Sequence, residues 1–257
     1  MIKEEFDKFG LIKISNFVQD QDFYKLCENI DKEINFEYIK NEKKFSKLGG
    51  GLIGNININT GHYGNLIWSY LKKNNINKII EQLTGLTENK YQVFFGGNLL
   101  FHYPKSYNQL FHTDGKKHPR KVIITLALDE INNQNGPTEI YKGSHQKNLP
   151  YWKFLFKYIF KEKYKLYLNK GDIFIREAFI WHRGTKNKSN KNRVLINFII
   201  SEKKNELLDY KTDENMYFFD NMFNSDLKGR FKEFFNVKLL PIYFIYRFLR
   251  SFKNQSK

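Results

Sequence analysis

The chain has 257 residues, 41% of them hydrophobic and 17% aromatic, which is ample for a packed core and excludes a disordered chain. Its formal net charge is +16, and its single cysteine excludes an internal disulfide. No segment approaches the ~20 continuous apolar residues of a membrane span, and the first residues lack the charged-then-apolar pattern of a signal peptide, so the cytoplasm is the expected compartment.

In chain order, residues 10–18 read as a short strand and residues 20–34 as a helix. Phe23, Leu26, Cys27, Ile30 and Ile34 recur there at helical spacing, so Cys27 is expected to be a buried apolar residue. Residues 41–65 form a polar, glycine-rich connection. Its Gly49-x-Gly51-x-x-Gly54 formally matches a dinucleotide fingerprint. However, no strand precedes it, βαβ alternation is missing, and no Gly-Lys-Ser/Thr occurs. A mobile flap over an active site is the expectation instead. Residues 63–73 and 76–83 read as helices, with Gly85 as a stop.

Short strands follow at 92–103, 121–128, 139–141, 165–168, 172–176, 179–183 and 193–201. Turn signals separate them, which suits a jelly-roll. Within 151–161, Lys153, Lys157 and Lys161 stack on one side while Tyr151, Leu155, Tyr158 and Ile159 form an apolar stripe expected to pack on the β-core. From residue 205 the pattern is helical. Pro241 can open a helix whose apolar face is Ile242, Ile245, Phe248, Leu249 and Phe252, with Arg247, Arg250 and Lys253 off it. That pattern suits packing on the core, an anionic membrane surface, a dimer contact or an anionic substrate tail. No repeat or linker divides the chain. One domain over 1–257 is expected, with a β-core at about 91–201, helical support at 1–90 and a helical tail at 205–257.

The chemistry sits in three short segments: His112-Thr113-Asp114, Trp181-His182-Arg183-Gly184, and Arg193, eleven positions after His182. Residues i and i+2 of an extended strand share a face, so an extended 109–114 would point His112 and Asp114 into one cavity. His182 would arrive from a second strand. Two histidines and one carboxylate without thiolate favour non-haem iron(II) over structural zinc, and leave one face of the ion open. If His182 ends its strand, a hairpin returns Arg193 towards the metal, where its guanidinium matches a carboxylate with two parallel hydrogen bonds. Taken alone, Arg193 could equally top a strand and pair with a surface acid.

Four segments in order carry a family resemblance. They are His112-Thr-Asp114; Leu126-Ala-Leu-Asp-Glu130 followed by Asn135-Gly136-Pro137 and Gly143-Ser144-His145; Gly171-Asp172-Ile-Phe174; and His182 with Asn187 and Arg193. The stretch from about 95 to 200 thereby resembles the phytanoyl-CoA dioxygenase-like family of iron(II)/2-oxoglutarate oxygenases. Lys142 and Thr138 depart from the usual family residues at a turn and a strand edge. The resemblance implies a double-stranded β-helix core. It implies His112, Asp114 and His182 as iron ligands, Arg193 as the anchor of 2-oxoglutarate, and Thr125 facing that co-substrate. It further implies use of dioxygen with release of succinate and carbon dioxide. Asp114 argues for hydroxylation, or a desaturation or ring closure by the same oxidant, since a related halogenating group lacks the carboxylate.

Of the other histidines, His145 is expected to be a structural hydrogen-bonding residue, His102 a core or cavity residue, and His118 solvated. His62 follows the glycine-rich stretch and could reach substrate from a lid. The positive charge invites a nucleic-acid-modifying or protein-modifying reading. Yet lysine is scattered along the chain and comes with abundant asparagine, isoleucine, phenylalanine and tyrosine, as a compositional bias would produce. A non-catalytic binding protein on the same scaffold would usually have lost a ligand or the arginine. The favoured reading is a hydroxylase of a small organic substrate that is anionic, lipid-linked or sugar-containing.

Overall fold

The computed structural model describes residues 2–42, 54–115, 121–203, 215–219 and 227–253. Its strands form two sheets. The larger is antiparallel, with strand order β1-β7-β4-β9-β3-β2-β10. These strands are Leu11–Ile14 (β1), Asn55–Asn59 (β2), Tyr91–Leu100 (β3), Lys121–Ala127 (β4), Ile173–Glu177 (β7), Arg193–Glu202 (β9) and Tyr217–Phe219 (β10). The smaller has order β6-β5-β8, from Tyr164–Leu166, Thr138–Ile140 and His182–Gly184. This is the expected jelly-roll with helical additions.

Period-two alternation explains how the central strands serve both faces. Val122, Ile124 and Leu126 of β4, Ile173 and Ile175 of β7, and Val194, Ile196, Phe198 and Ile200 of β9 join the core under the N-terminal helices. The intervening residues turn to the smaller sheet. Ala127, Phe174 and Leu195 meet Ile140 and Leu166 there, and Thr125, Arg176, Arg193 and Asn197 share that inward phase. Both faces are therefore covered: the helix side is apolar, and the inner side mixes apolar residues with these four polar ones.

The helices are α1 (Ile2–Phe9), α2 (Gln21–Lys40), α3 (Gly61–Lys73), α4 (Ile76–Thr84), α5 (Tyr151–Tyr158), α6 (Leu227–Val237) and α7 (Leu240–Lys253). Asp20 caps α2 by accepting from the N–H groups of Asp22 and Phe23. Phe23, Cys27, Ile30, Ile34 and Tyr38 then bury one stripe, and burial pushes the Cys27 thiol up to about 12. On α5, Phe154 stacks on Trp181 with ring centroids 3.9 Å apart.

Several elements differ from the sequence reading. Residues 2–9 are helical, and the strand expected at 10–18 shrinks to Leu11–Ile14 because Gly10, at φ +74°, ends α1. The helix expected at 20–34 runs on to Lys40. A strand, Asn55–Asn59, lies within the stretch read as connection, burying Ile56 and Ile58 against β3. Tyr217–Phe219 is a strand in the tail expected to be helical, because β2 offers it a free edge. His182 opens β8 rather than ending a strand, and β8 and β9 lie in different sheets, so they form no hairpin. Ile159 is exposed instead of joining the core-facing stripe. Gly49 and Gly51 of the suggested flap, and His118, lie outside the described residues.

Candidate metal centre

Residues 109–114 are not a regular strand. They run antiparallel to β8, held at intervals by main-chain bonds. Gln109 N–H donates to Gly184 O (2.9 Å), His112 N–H to His182 O (2.9 Å) and His182 N–H to His112 O (3.0 Å). His112 and His182 are thus paired across an isolated bridge, which sets their rings side by side at 4.5 Å. Asp114 N–H then donates to Ala178 O (2.9 Å), which turns its carboxylate back towards both rings.

The three side chains converge. His112 Nε2 lies 3.6 Å from Asp114 Oδ1, His182 Nε2 lies 3.4 Å from Asp114 Oδ2, and all candidate ligand atoms fall within 4.8 Å of one another. Each imidazole has its Nδ1 against the carbonyl two residues earlier, Leu110 O at 2.9 Å and Ile180 O at 3.0 Å. A carbonyl only accepts, so Nδ1 carries the proton and Nε2 presents a lone pair to the shared space. Burial pushes the His182 imidazole down to about 3, helped by Arg176, so it stays neutral. Burial alone would raise the Asp114 carboxyl, but His182, Arg176 and His112 hold it well below the usual carboxylate range. Two imidazole nitrogens and one carboxylate facing one point fit a divalent cation. Mixed nitrogen and oxygen donors without sulfur suit iron(II).

One residue here escaped the sequence reading. Arg176, on β7, is buried and pairs through Nη2 with Asp114 Oδ2, while its buried Nη1 has no hydrogen-bond partner among the described residues. Its signal was a cation that follows the apolar run Ile173-Phe-Ile175 and stands two positions from inward-facing Phe174.

Arg193 is 7% exposed. Its Nη1 donates to Gly136 O (2.5 Å) and its Nη2 to Asn98 Oδ1 (3.2 Å), and Nε is buried without a partner among the described residues. Among the described residues no carboxylate lies within ion-pair distance of it, so the surface-acid alternative does not hold. Burial lowers its guanidinium to about 10. The preceding loop is pinned by buried Asn187, which donates from N–H to Ser106 Oγ (2.9 Å) and from Nδ2 to Lys191 O (2.7 Å). Thr125 is buried, with its hydroxyl 2.8 Å from Asn197 Oδ1. His112, Asp114, His182, Arg193, Thr125 and Arg176 all line one cavity of about 960 Å³, to whose wall α7 contributes Leu240, Tyr243 and Arg247.

The other histidines lie elsewhere. His62 is an exposed residue of α3 beside Tyr63 and does not line the cavity. His102 has Nδ1 2.8 Å from Tyr103 O, also outside it. His145 is structural, as expected, with Nε2 3.1 Å from Asp7 O.

The family model described as Phytanoyl-CoA dioxygenase (PhyH) matches residues 6–195. No curated protein matches the chain. Among solved structures, the chain is similar to the non-heme alpha ketoglutarate dependent carbocyclase SnoK from nogalamycin biosynthesis, at 14% identity and a TM-score of 0.59 over 78% of this chain and 83% of that one. It is similar to the epimerase SnoN, solved with Fe3+, alpha ketoglutarate and nogalamycin RO, at 12% identity and a TM-score of 0.55 over 85% of each chain. HygX from Streptomyces hygroscopicus, solved with nickel and 2-oxoglutarate, gives 12% identity and a TM-score of 0.53 over 77% and 86%. These likenesses show a shared fold.

Proposed function

The chain belongs to the phytanoyl-CoA dioxygenase family, and from that membership we propose that it uses iron(II), 2-oxoglutarate and dioxygen to hydroxylate a small organic substrate, releasing succinate and carbon dioxide. One observation carries the reading: a single cavity holds both a three-acceptor cation site and a buried guanidinium without a carboxylate partner among the described residues. His112, Asp114 and His182 would hold iron(II), which supplies dioxygen activation coupled to oxidative decarboxylation of the co-substrate.

The remaining roles belong to the chain's own side chains. Arg193 spends one N–H of each Nη on Gly136 and Asn98, which fixes the guanidinium plane. Its unused N–H groups match the distal carboxylate of 2-oxoglutarate, and that anion neutralises a cation otherwise held in the interior at a cost. Thr125 faces the same space. Its hydroxyl donates to Asn197 Oδ1 at 2.8 Å, which fixes the side chain in the cavity wall. Phe174 and Leu195 supply apolar wall that keeps water from the reacting end. A cavity of about 960 Å³ holds the co-substrate together with a small substrate. Arg176 and Arg247 at its lining favour a substrate carrying negative charge.

Asp114 keeps the third protein ligand in place, which favours oxygen transfer over halide transfer. The product distinguishes hydroxylation from the ring closure and epimerisation for which SnoK and SnoN are named. The test supplies iron(II), 2-oxoglutarate and air to the purified protein with a panel of anionic, sugar-containing and lipid-linked metabolites. Succinate should form only with the true substrate, whose product gains one oxygen atom, and His112→Ala should abolish both. Unimpaired turnover by His112→Ala would end the proposal.

A further inference from the structure

We propose that the outer face of α7, with α5 and α6 beside it, docks the protein on the surface of an anionic lipid bilayer. The first observation is that α7 has two opposed working faces. Leu240, Tyr243 and Arg247 line the cavity. Ile242, Ile245 and Leu249 lie two residues on from each, a rotation of about 200° on a helix, and they point to solvent with exposures of 56–58%. Tyr246 and Phe252 extend that outer stripe. The apolar face expected from the sequence therefore splits. Phe244 and Phe248 turn towards α5, against Tyr151 and Phe156 at 6.0 and 6.2 Å, while the isoleucines and Leu249 are left uncovered by the described residues.

The second observation is that the uncovered surface does not stop at α7. Trp152 of α5 stacks on Phe252 at 4.8 Å, so the two helices meet along an aromatic seam. Next to that seam Phe156 is 71% exposed, and just past α5 Phe160 is 97% exposed. On α6, Leu227 and Phe231 are exposed as well. Scattered single apolar residues are normal on a surface, whereas a contiguous patch of large ones marks a binding face.

The third observation identifies the occupant. Residues 151–161 and 227–253 contain ten of the chain's 43 lysines and arginines but one of its 27 acids, Glu233. Nine of the sixteen net positive charges thus sit on three short helical segments. The scattered distribution inferred from the whole sequence does not describe this region. A second copy of the chain docking face to face would oppose this charge to itself, and an apolar protein partner would not use it. A bilayer with anionic headgroups satisfies both halves, taking the aromatic and aliphatic side chains at its interface and pairing the lysines with phosphates. No described helix is long and apolar enough to cross a membrane, so α7 lies in the plane of the surface. Tyr243 and Arg247, on the opposite face of α7, then keep their place in the cavity wall, one helix diameter from the headgroups.

The test is flotation of the full-length protein with vesicles of phosphatidylcholine containing about a third phosphatidylglycerol, or none. Binding should require phosphatidylglycerol and weaken several-fold as salt is raised. The double variant Ile245→Glu/Leu249→Glu alters exposed positions only and should reduce binding about tenfold or more. Its melting temperature and its affinity for 2-oxoglutarate should be unchanged. A second variant, Lys153→Glu/Lys157→Glu/Arg250→Glu, leaves the apolar stripe intact and should lose the dependence on phosphatidylglycerol. Absence of vesicle binding, or equal binding by wild type and both variants, would overturn the proposal. So would light scattering that shows a stable dimer, split by the first variant, in a protein that ignores vesicles.

Discussion

Replacing Arg193 by methionine should leave the ligand-free protein about as stable as before while removing its hold on the co-substrate. Burial lowers the guanidinium from 12.5 to about 10. At about 1.4 kcal/mol per tenfold, that corresponds to roughly 3 kcal/mol for keeping the cation in the fold. Methionine fills similar space without charge. It gives up the bonds to Gly136 O and Asn98 Oδ1, each worth about 1 kcal/mol net. The two effects nearly cancel, so urea unfolding of the apoprotein should shift by no more than about 1 kcal/mol. Two charge-assisted hydrogen bonds to a carboxylate contribute roughly 3 kcal/mol or more. The dissociation constant for 2-oxoglutarate should therefore rise about 100-fold or more. Calorimetric titration into the manganese-loaded protein reads that number directly. A variant that loses several kcal/mol of stability, yet binds 2-oxoglutarate as tightly as wild type, would show that Arg193 is a structural cation and refute the reasoning.

Three further outcomes are expected. Arg176→Gln removes a cation that lowers both the Asp114 carboxyl and the His182 imidazole, so the acid limb of manganese binding should move to higher pH; a titration of affinity against pH that leaves this limb in place contradicts the role given to Arg176. Cys27 has its thiol pushed up from 9.0 to about 12 when folded, so its contribution to stability is fully present below pH 9 and is lost as pH rises towards 12. The native protein should resist a thiol reagent at pH 8, with modification keeping pace with unfolding in urea. Gly136 sits at φ +84°, where an added Cβ would fall 2.6 Å from Leu100 Cδ2 and 2.8 Å from Thr185 O. Gly136→Ala should therefore cost about 2 kcal/mol in a urea melt, and it should weaken 2-oxoglutarate binding because its carbonyl holds Arg193.

The convergence of His112, Asp114 and His182 was legible because few residue types bind a cation and because period two puts His112 and Asp114 on one side of an extended chain. The place of Arg193 in the same cavity was legible from its offset after His182. How they meet was not. The pairing of 109–114 with β8 rests on an isolated bridge whose partner lies seventy residues away, and no local pattern reports it. The expected hairpin failed for the same reason, since membership of one sheet or the other is decided by non-local packing. The first helix has a single buried side chain, Phe6, and so a weak periodic signal. Asn55-Ile-Asn-Ile-Asn59 does alternate, but its glycine-rich and asparagine-rich setting masked it. Arg176 looked like one charge at the end of a strand until Asp114 was seen beside it.

The reciprocal bonds between the main chains of His112 and His182 carry one more consequence. The two imidazoles become neighbours only when the segments bearing them have been zipped together in a single alignment, and a slip by one position would send one ring to the far side. An ion seated there would act as a clasp on the seventy-residue excursion between them, resisting any opening that parts the sheets. Loading with metal should accordingly slow amide exchange along β8 more than along the outlying strand β1.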